Sequence, residues 1–194
     1  MNNNQFNDRR PTSLEEQAYA EARQHFAEHL KQFPASRAAI GHLEKNLTTM
    51  ALAVNMTTSR TAPSKTCIQT NDGASWYKSL DLMENVCACY RSTTAGPEFA
   101  VVEQLPSGDA QEVVTRGRNA VNVLQAFARE QQHALQIWTE DVAAQVREHL
   151  AEKYPGHDMS RVADGFMHRF THPLTLKETL AQTNTRKHVR GIRP

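Results

Sequence analysis

The sequence predicts a mainly α-helical protein: an elongated helical bundle around one long helix, with room for one small β-hairpin near residues 98–115. Three observations predict it. Apolar residues recur every three or four positions through most of the chain, the spacing of a helix that buries one stripe. Glycine and proline number only eight each in 194 residues, which excludes collagen-like and low-complexity classes. A 39% hydrophobic and 22% charged composition suffices for one real core and excludes wholesale disorder.

Residues 1–12, with Asn2-Asn3-Asn4 and Asp8-Arg9-Arg10, read as a flexible arm and lack the apolar stretch of a secretory signal. The helical domain is then expected over 13–183. Ser13 with Glu16 fits a capping box, and Leu14, Ala18, Ala22, Phe26, Leu30 and Phe33 form one stripe that Pro34 should end. Ser36 caps a second helix through Ile40, Leu43, Leu47, Met50 and Val54. Together these make an αα-hairpin over 13–56.

Residues 57–74 are rich in Ser and Thr, with Asn71-Asp72-Gly73 as turn chemistry, and read as a loop. Trp76, Leu80, Met83, Cys87 and Tyr90 return to helical spacing and predict a helix over 75–91. The stretch 97–103 pairs with 112–115 as a hairpin, or else belongs to short helices. Asp109 with Glu112 is a second capping-box pattern, and it opens the stripe Val113, Gly117, Val121, Leu124, Ala128, Leu135, Trp138, Val142, Val146 and Leu150. A continuous helix over about 110–154 would be roughly 65 Å long at about 1.5 Å per residue. Such a stripe outgrows one compact bundle. It predicts coiled-coil-like self-association or a partner helix, with Leu124, Leu135 and Trp138 in the interface. Short helices over 160–183 precede a basic tail, 184–194.

The chemistry-bearing motifs are sparse. His25-Phe26-Ala27-Glu28-His29 has the H-x-x-E-H spacing in which two imidazoles one turn apart hold zinc and the carboxylate serves as base. These five residues resemble the zinc helix of the pitrilysin family. The resemblance implies His25 and His29 as ligands and Glu28 as base of a metal-dependent hydrolase. That family's downstream Glu ligand and large α+β fold have no counterpart in the sequence. His168 and His172 form a second pair one turn apart, and Glu130-x-x-His133 is half of a di-iron motif whose other half is missing. Arg37-x4-His42 and Arg161-x6-His168 resemble the loose motif of HEPN-type ribonucleases. Phe166–Leu176 is similar to the end of the helical dimerisation region of glutamyl-tRNA reductases, whose catalytic parts have no counterpart, so nothing is carried over.

Cys87-Ala88-Cys89 is one residue short of a C-x-x-C unit. Cys87 reads as core, with Cys67 and Cys89 as inert thiols suited to a reducing cytoplasm. Phosphate-cradling glycine loops and nucleophile elbows do not occur, and no apolar run is long enough for a membrane span. Neither metal nor cofactor is expected.

Charge is the most informative signal. Residues 159–194 carry seven Lys/Arg against two acids, and the remainder carries 15 against 19. Arg186, Lys187, Arg190 and Arg193 therefore form a basic tail suited to nucleic-acid phosphates or an acidic partner. The function expected first is a non-enzymatic interaction and assembly protein. The metal-dependent hydrolase stands second and the HEPN-like ribonuclease third.

Overall fold

A computed structural model describes residues 12–58 and 66–172. In chain order the elements are α1 (Ser13–His25), α2 (Ala27–Thr58), β1 (Cys67–Gln69), β2 (Ser75–Met83), β3 (Val86–Thr93), β4 (Gly96–Gln104), β5 (Ala110–Glu112), α3 (Ala120–Lys153) and α4 (Ser160–Thr171). The chain forms two compact units. A helical unit takes the residues up to Ala35 and from Trp138 on, and a sheet unit takes Ser36–Ile137.

In the helical unit, α1 opens with a capping box one residue earlier than the sequence suggests. The Thr12 hydroxyl accepts from the Glu15 N–H at 3.2 Å, and the Glu15 carboxylate accepts from the Thr12 N–H at 2.6 Å. Two donors that a helix start leaves unpaired are thereby satisfied. The expected turn at Pro34 does not form. Helical bonding passes Phe26, whose N–H donates to the Ala22 carbonyl at 2.9 Å and whose carbonyl accepts from the Leu30 N–H at 3.1 Å. Pro34 then lies inside α2. Proline in a helix interior costs about 3 kcal/mol. The adjacent Phe33 offsets this by burial, with its ring 4.7 Å from Phe170 and 5.9 Å from Trp138. The aromatic core continues through Phe166, 5.9 Å from Phe26, and is completed by Ala18, Ala22, Val142, Val146 and Leu150.

The sheet unit overturns the mainly α expectation. Five antiparallel strands pair in strict sequence order, so the protein is α+β, and neither an all-α bundle nor a coiled coil describes it. The helix expected over 75–91 is the β2–β3 hairpin, and β1 lies inside the expected loop. The reason is local. Register shifts at Lys78/Leu80 and Asp81/Met83 break the two-residue alternation of β2. In β3, Cys87 to Tyr90 are buried on both faces and show no alternation at all. Asn85, at φ 58°, makes the tight turn between them.

In place of one small hairpin near 98–115, the chain has the β4–β5 edge of this five-stranded sheet. Val102, Glu103 and Gln104 pair with Glu112, Gln111 and Ala110, and Gly108 at φ 93° sits in the connecting turn. Because 110–112 is strand, the long helix begins ten residues late. Its start is Asn119, whose side-chain oxygen accepts from the N–H groups of Val121 (2.9 Å) and Asn122 (3.3 Å).

One face of the sheet packs against α2 and the first half of α3. Tyr90, Phe99 and Val101 meet Leu43 and Val54 from α2, and Leu124 and Phe127 from α3. Each large side chain so buried contributes about 1.5–3 kcal/mol. The stripe of α3 is therefore covered by the chain itself.

Candidate functional site

The other face of the sheet is unusual in its residues. Strand neighbours share a face, and the register brings together Trp76 of β2, Cys87 and Cys89 of β3, Ala100 and Val102 of β4, Ala110 of β5 and Ile68 of β1. Among the described residues no helical side chain belongs to this cluster, yet all seven are buried. One backbone bond draws the two edges of the sheet together on this side. The Asn71 N–H donates to the Ala110 carbonyl at 2.9 Å, tying the turn after β1 to the last strand. Small side chains at Cys87, Cys89, Ala100 and Ala110 let the strands bend toward this face.

Trp76 fills one end. Its indole N–H donates to Glu112 at 3.0 Å, and the Arg91 and Arg116 guanidinium carbons lie 4.6 and 5.7 Å from the ring centre. Both arginines are held by carboxylates, Arg91 by Glu98 at 2.7 Å and Arg116 by Glu112 and Asp72. The Asp72 carboxyl is lowered to about 2, chiefly by the Thr70 hydroxyl, then by the Ala74 N–H and Arg116. Every charge in this rim has a partner of opposite sign, which suits a polar lid.

Toward the other end lie the two thiols, with Sγ atoms 3.5 Å apart. Cys89 is 0% exposed and Cys87 2%. Across the strand pair, Cys89 faces Lys78 and Cys87 faces Asp81, and the Lys78 ammonium meets the Asp81 carboxylate at 2.6 Å. The Cys87 thiol is lowered, because the Cys89 thiol hydrogen-bonds to its charged form and the Lys78 cation is near. The Cys89 thiol is raised, first by that same bond and then by burial. One sulfur is thus disposed to carry charge and its neighbour to keep its proton. Sequence reasoning missed this pair by placing it on a helix. On a strand, C-x-C puts both side chains on one face, and that is the signal the spacing carries.

The residues singled out by sequence fall elsewhere. Leu124 is 2% exposed in the core of its own unit, Leu135 is half-buried, and Trp138 rests against Phe33, Phe170 and His29. The reason for expecting a partner over Leu124 is therefore gone. In the H-x-x-E-H segment, His25 stacks on His149 with ring centres 4.1 Å apart, His29 leans on Phe26 and Trp138, and Glu28 binds Lys31 at 2.7 Å. His168 and His172 stack on each other at 5.0 Å on the exposed end of α4. Arg37 and His42 stand on α2, with His42 bonded to Asn46, while Arg161 stands on α4. Among the described residues, no three His, Cys, Asp or Glu side chains are grouped to hold a metal, and no helix is long and apolar enough to cross a membrane. Arg186, Lys187, Arg190 and Arg193 lie outside the described residues. No protein-family profile matches the chain, and no curated protein or solved structure is similar enough to count as a match.

Proposed function

We propose that this is a non-enzymatic interaction protein that self-associates through the outer face of α2 in the sheet unit. One observation carries the reading. From Asn46 to Thr58 the helix holds no charged residue, although Thr48, Thr49, Leu52, Ala53, Asn55 and Met56 are all exposed. Leu52 and Met56 stand one turn apart at 60% and 57% exposure, on the side opposite the buried Leu43, Ala51 and Val54. A solvated helix face is ordinarily charged. The outer side of α3 follows that rule, with Arg129, Glu130, Glu140, Asp141, Arg147 and Glu148 exposed.

The occupant this face suits best is a second copy of itself. An uncharged surface gives a charged partner nothing to pair with, whereas an isologous contact buries like against like. Two helix faces bury less than a standard interface, so the association is weak, on the order of micromolar or above. The same reading gives Arg186, Lys187, Arg190 and Arg193 an electrostatic role toward nucleic-acid phosphates.

Sedimentation equilibrium over a wide concentration range tests the dimer. The wild-type chain should pass from monomer to dimer as concentration rises. The Leu52→Glu, Met56→Glu double variant should stay monomeric with unchanged circular dichroism and melting temperature. A wild-type chain still monomeric at hundreds of micromolar, or a double variant that associates equally well, overturns the reading.

A further inference from the structure

The buried pair Cys87 and Cys89 carries an inference independent of self-association. We propose that these two thiols are a reversible oxidation site, at which a small hydroperoxide closes an intrastrand disulfide across Ala88. The juxtaposition is specific: two sulfurs on one face of β3, 3.5 Å apart, walled by Ala100, Val102 and Ala110, with the Lys78 ammonium on the same face. The third cysteine, Cys67, is exposed on β1 and shares none of this setting.

The chemistry balances in two steps. The Cys87 thiolate attacks one peroxide oxygen, the O–O bond breaks, and the leaving oxygen takes up the proton that the Cys87 thiol released, which yields a sulfenic acid and water or an alcohol. The Cys89 thiol then attacks the sulfenic sulfur, the S–S bond forms, the S–O bond breaks and water leaves with the thiol proton. Two thiols lose two electrons and two protons overall, and the peroxide takes both. Cys87 is the first nucleophile, because its charged form is the one hydrogen-bonded by the neighbouring thiol. The Lys78 cation, which stands across from Cys89, is also near and outweighs the Asp81 carboxylate across from Cys87. Cys89 keeps its proton until the second step.

Burial selects the oxidant. With Cys87 2% exposed and Cys89 0%, the site suits a small oxidant and disfavours a bulky one. Geometry makes the product labile. Residues two apart on an extended strand have Cα atoms separated by about 6.6–6.8 Å, the upper end of what a disulfide spans. Closing the bond pinches β3 at Ala88. That residue points to the opposite face and is packed in the core shared with α2 and α3. A disulfide formed against such packing is readily reduced, the behaviour of a switchable bond. Oxidation therefore also loosens the helix-covered face.

The test uses the full chain, reduced, in a Cys67→Ser background so that the exposed thiol cannot contribute. Hydrogen peroxide is added, the sample is unfolded in iodoacetamide, and the peptide carrying residues 87–89 is weighed. The expected product is this peptide two hydrogens lighter and unalkylated, returning to two alkylated thiols after dithiothreitol. Cys89→Ser should stop at a Cys87 sulfenic acid that dimedone traps, and Cys87→Ser should react at least tenfold more slowly. Where a serine variant fails to fold, the peptide mass of the Cys67→Ser chain decides alone. Full alkylation of both thiols after peroxide overturns the proposal. So does a pair linked only between molecules, or direct passage to sulfinic acid without the disulfide.

Discussion

The Asn71 N–H donates to the Ala110 carbonyl at 2.9 Å, and this bond links the two ends of a sheet whose strands otherwise pair only with their sequence neighbours. Around it stand Thr70, Asp72, Trp76, Glu112 and Arg116, so the closure is a polar cluster built over one indole ring. The thiol-bearing face depends on this corner, and the first two expectations concern it.

Trp76 is 0% exposed and spends its only polar hydrogen on Glu112. Trp76→Phe keeps most of the ring and loses that bond, for about 1 kcal/mol of stability. Trp76→Ala also leaves a cavity beneath two guanidinium groups, for about 3–5 kcal/mol. Urea unfolding of both variants checks the ranking. Equal losses would mean that the hydrogen bond, rather than the packing, carries the corner.

Asp72 should contribute to acid sensitivity. Its carboxyl titrates near 2 in the folded chain against 3.8 ordinarily. The stabilisation is therefore complete above about pH 4 and is lost as pH falls through the interval down to 2. Asp72→Asn should be less stable than wild type at pH 6, and the two should converge by pH 2. Chemical unfolding at pH 6, 4, 3 and 2 reads the convergence. Parallel curves would detach Asp72 from the acid response.

A second pH response belongs to the helical unit. Burial, and then the stacked His25, push the His149 imidazole below its ordinary 6.5, while Glu21 and Glu152 oppose the shift and Lys153 reinforces it. Its Nε2 is buried without a hydrogen-bond partner. As pH falls through 6.5 the unfolded chain takes up a proton at this position before the folded chain does, so stability drops with acidification. Melting temperature should fall more between pH 7.5 and 5.5 for wild type than for His149→Gln. An unchanged difference would show that other histidines carry the effect.

The tail gives the nucleic-acid half of the proposed function its test. Four phosphate contacts from Arg186, Lys187, Arg190 and Arg193 would give a log–log salt slope of about −3 to −4. Gel shifts at low salt with single- and double-stranded DNA and RNA should show binding. Removing residues 185–194 should abolish it without lowering the melting temperature. Failure of the full chain to shift any of the four at tens of micromolar would remove nucleic acid as a ligand.

What the sequence makes legible follows from how each segment is buried. The second half of α3 has one buried stripe, Val142, Val146 and Leu150, and its helical period and its end near residue 153 read directly. The turn containing Gly108 announces the β4–β5 hairpin. The β2–β3 hairpin is hidden because bulges shift its register and double burial erases alternation. Trp76, Leu80, Met83, Cys87 and Tyr90 then fall by coincidence at helical intervals. That error propagated to the thiols. On a helix, Cys87 and Cys89 diverge by most of half a turn, whereas on β3 they touch. Pro34 misled in the opposite direction, since its cost is local and the burial of Phe33 that outweighs it depends on residues more than a hundred positions away.

The helix-packed face of the sheet has a consequence for synthesis. Its cover comes from both ends of the sheet unit: Leu43 and Val54 precede every strand, while Val123, Leu124 and Phe127 follow the last one. The strands pair in the order in which they leave the ribosome, so the meander can assemble while translation continues. Until the first half of α3 has emerged, however, Tyr90, Phe99 and Val101 face water on one flank. A pause in translation after β5 has cleared the ribosome but before the first half of α3 has done so would hold the nascent chain in its stickiest state, with a finished sheet and half a roof.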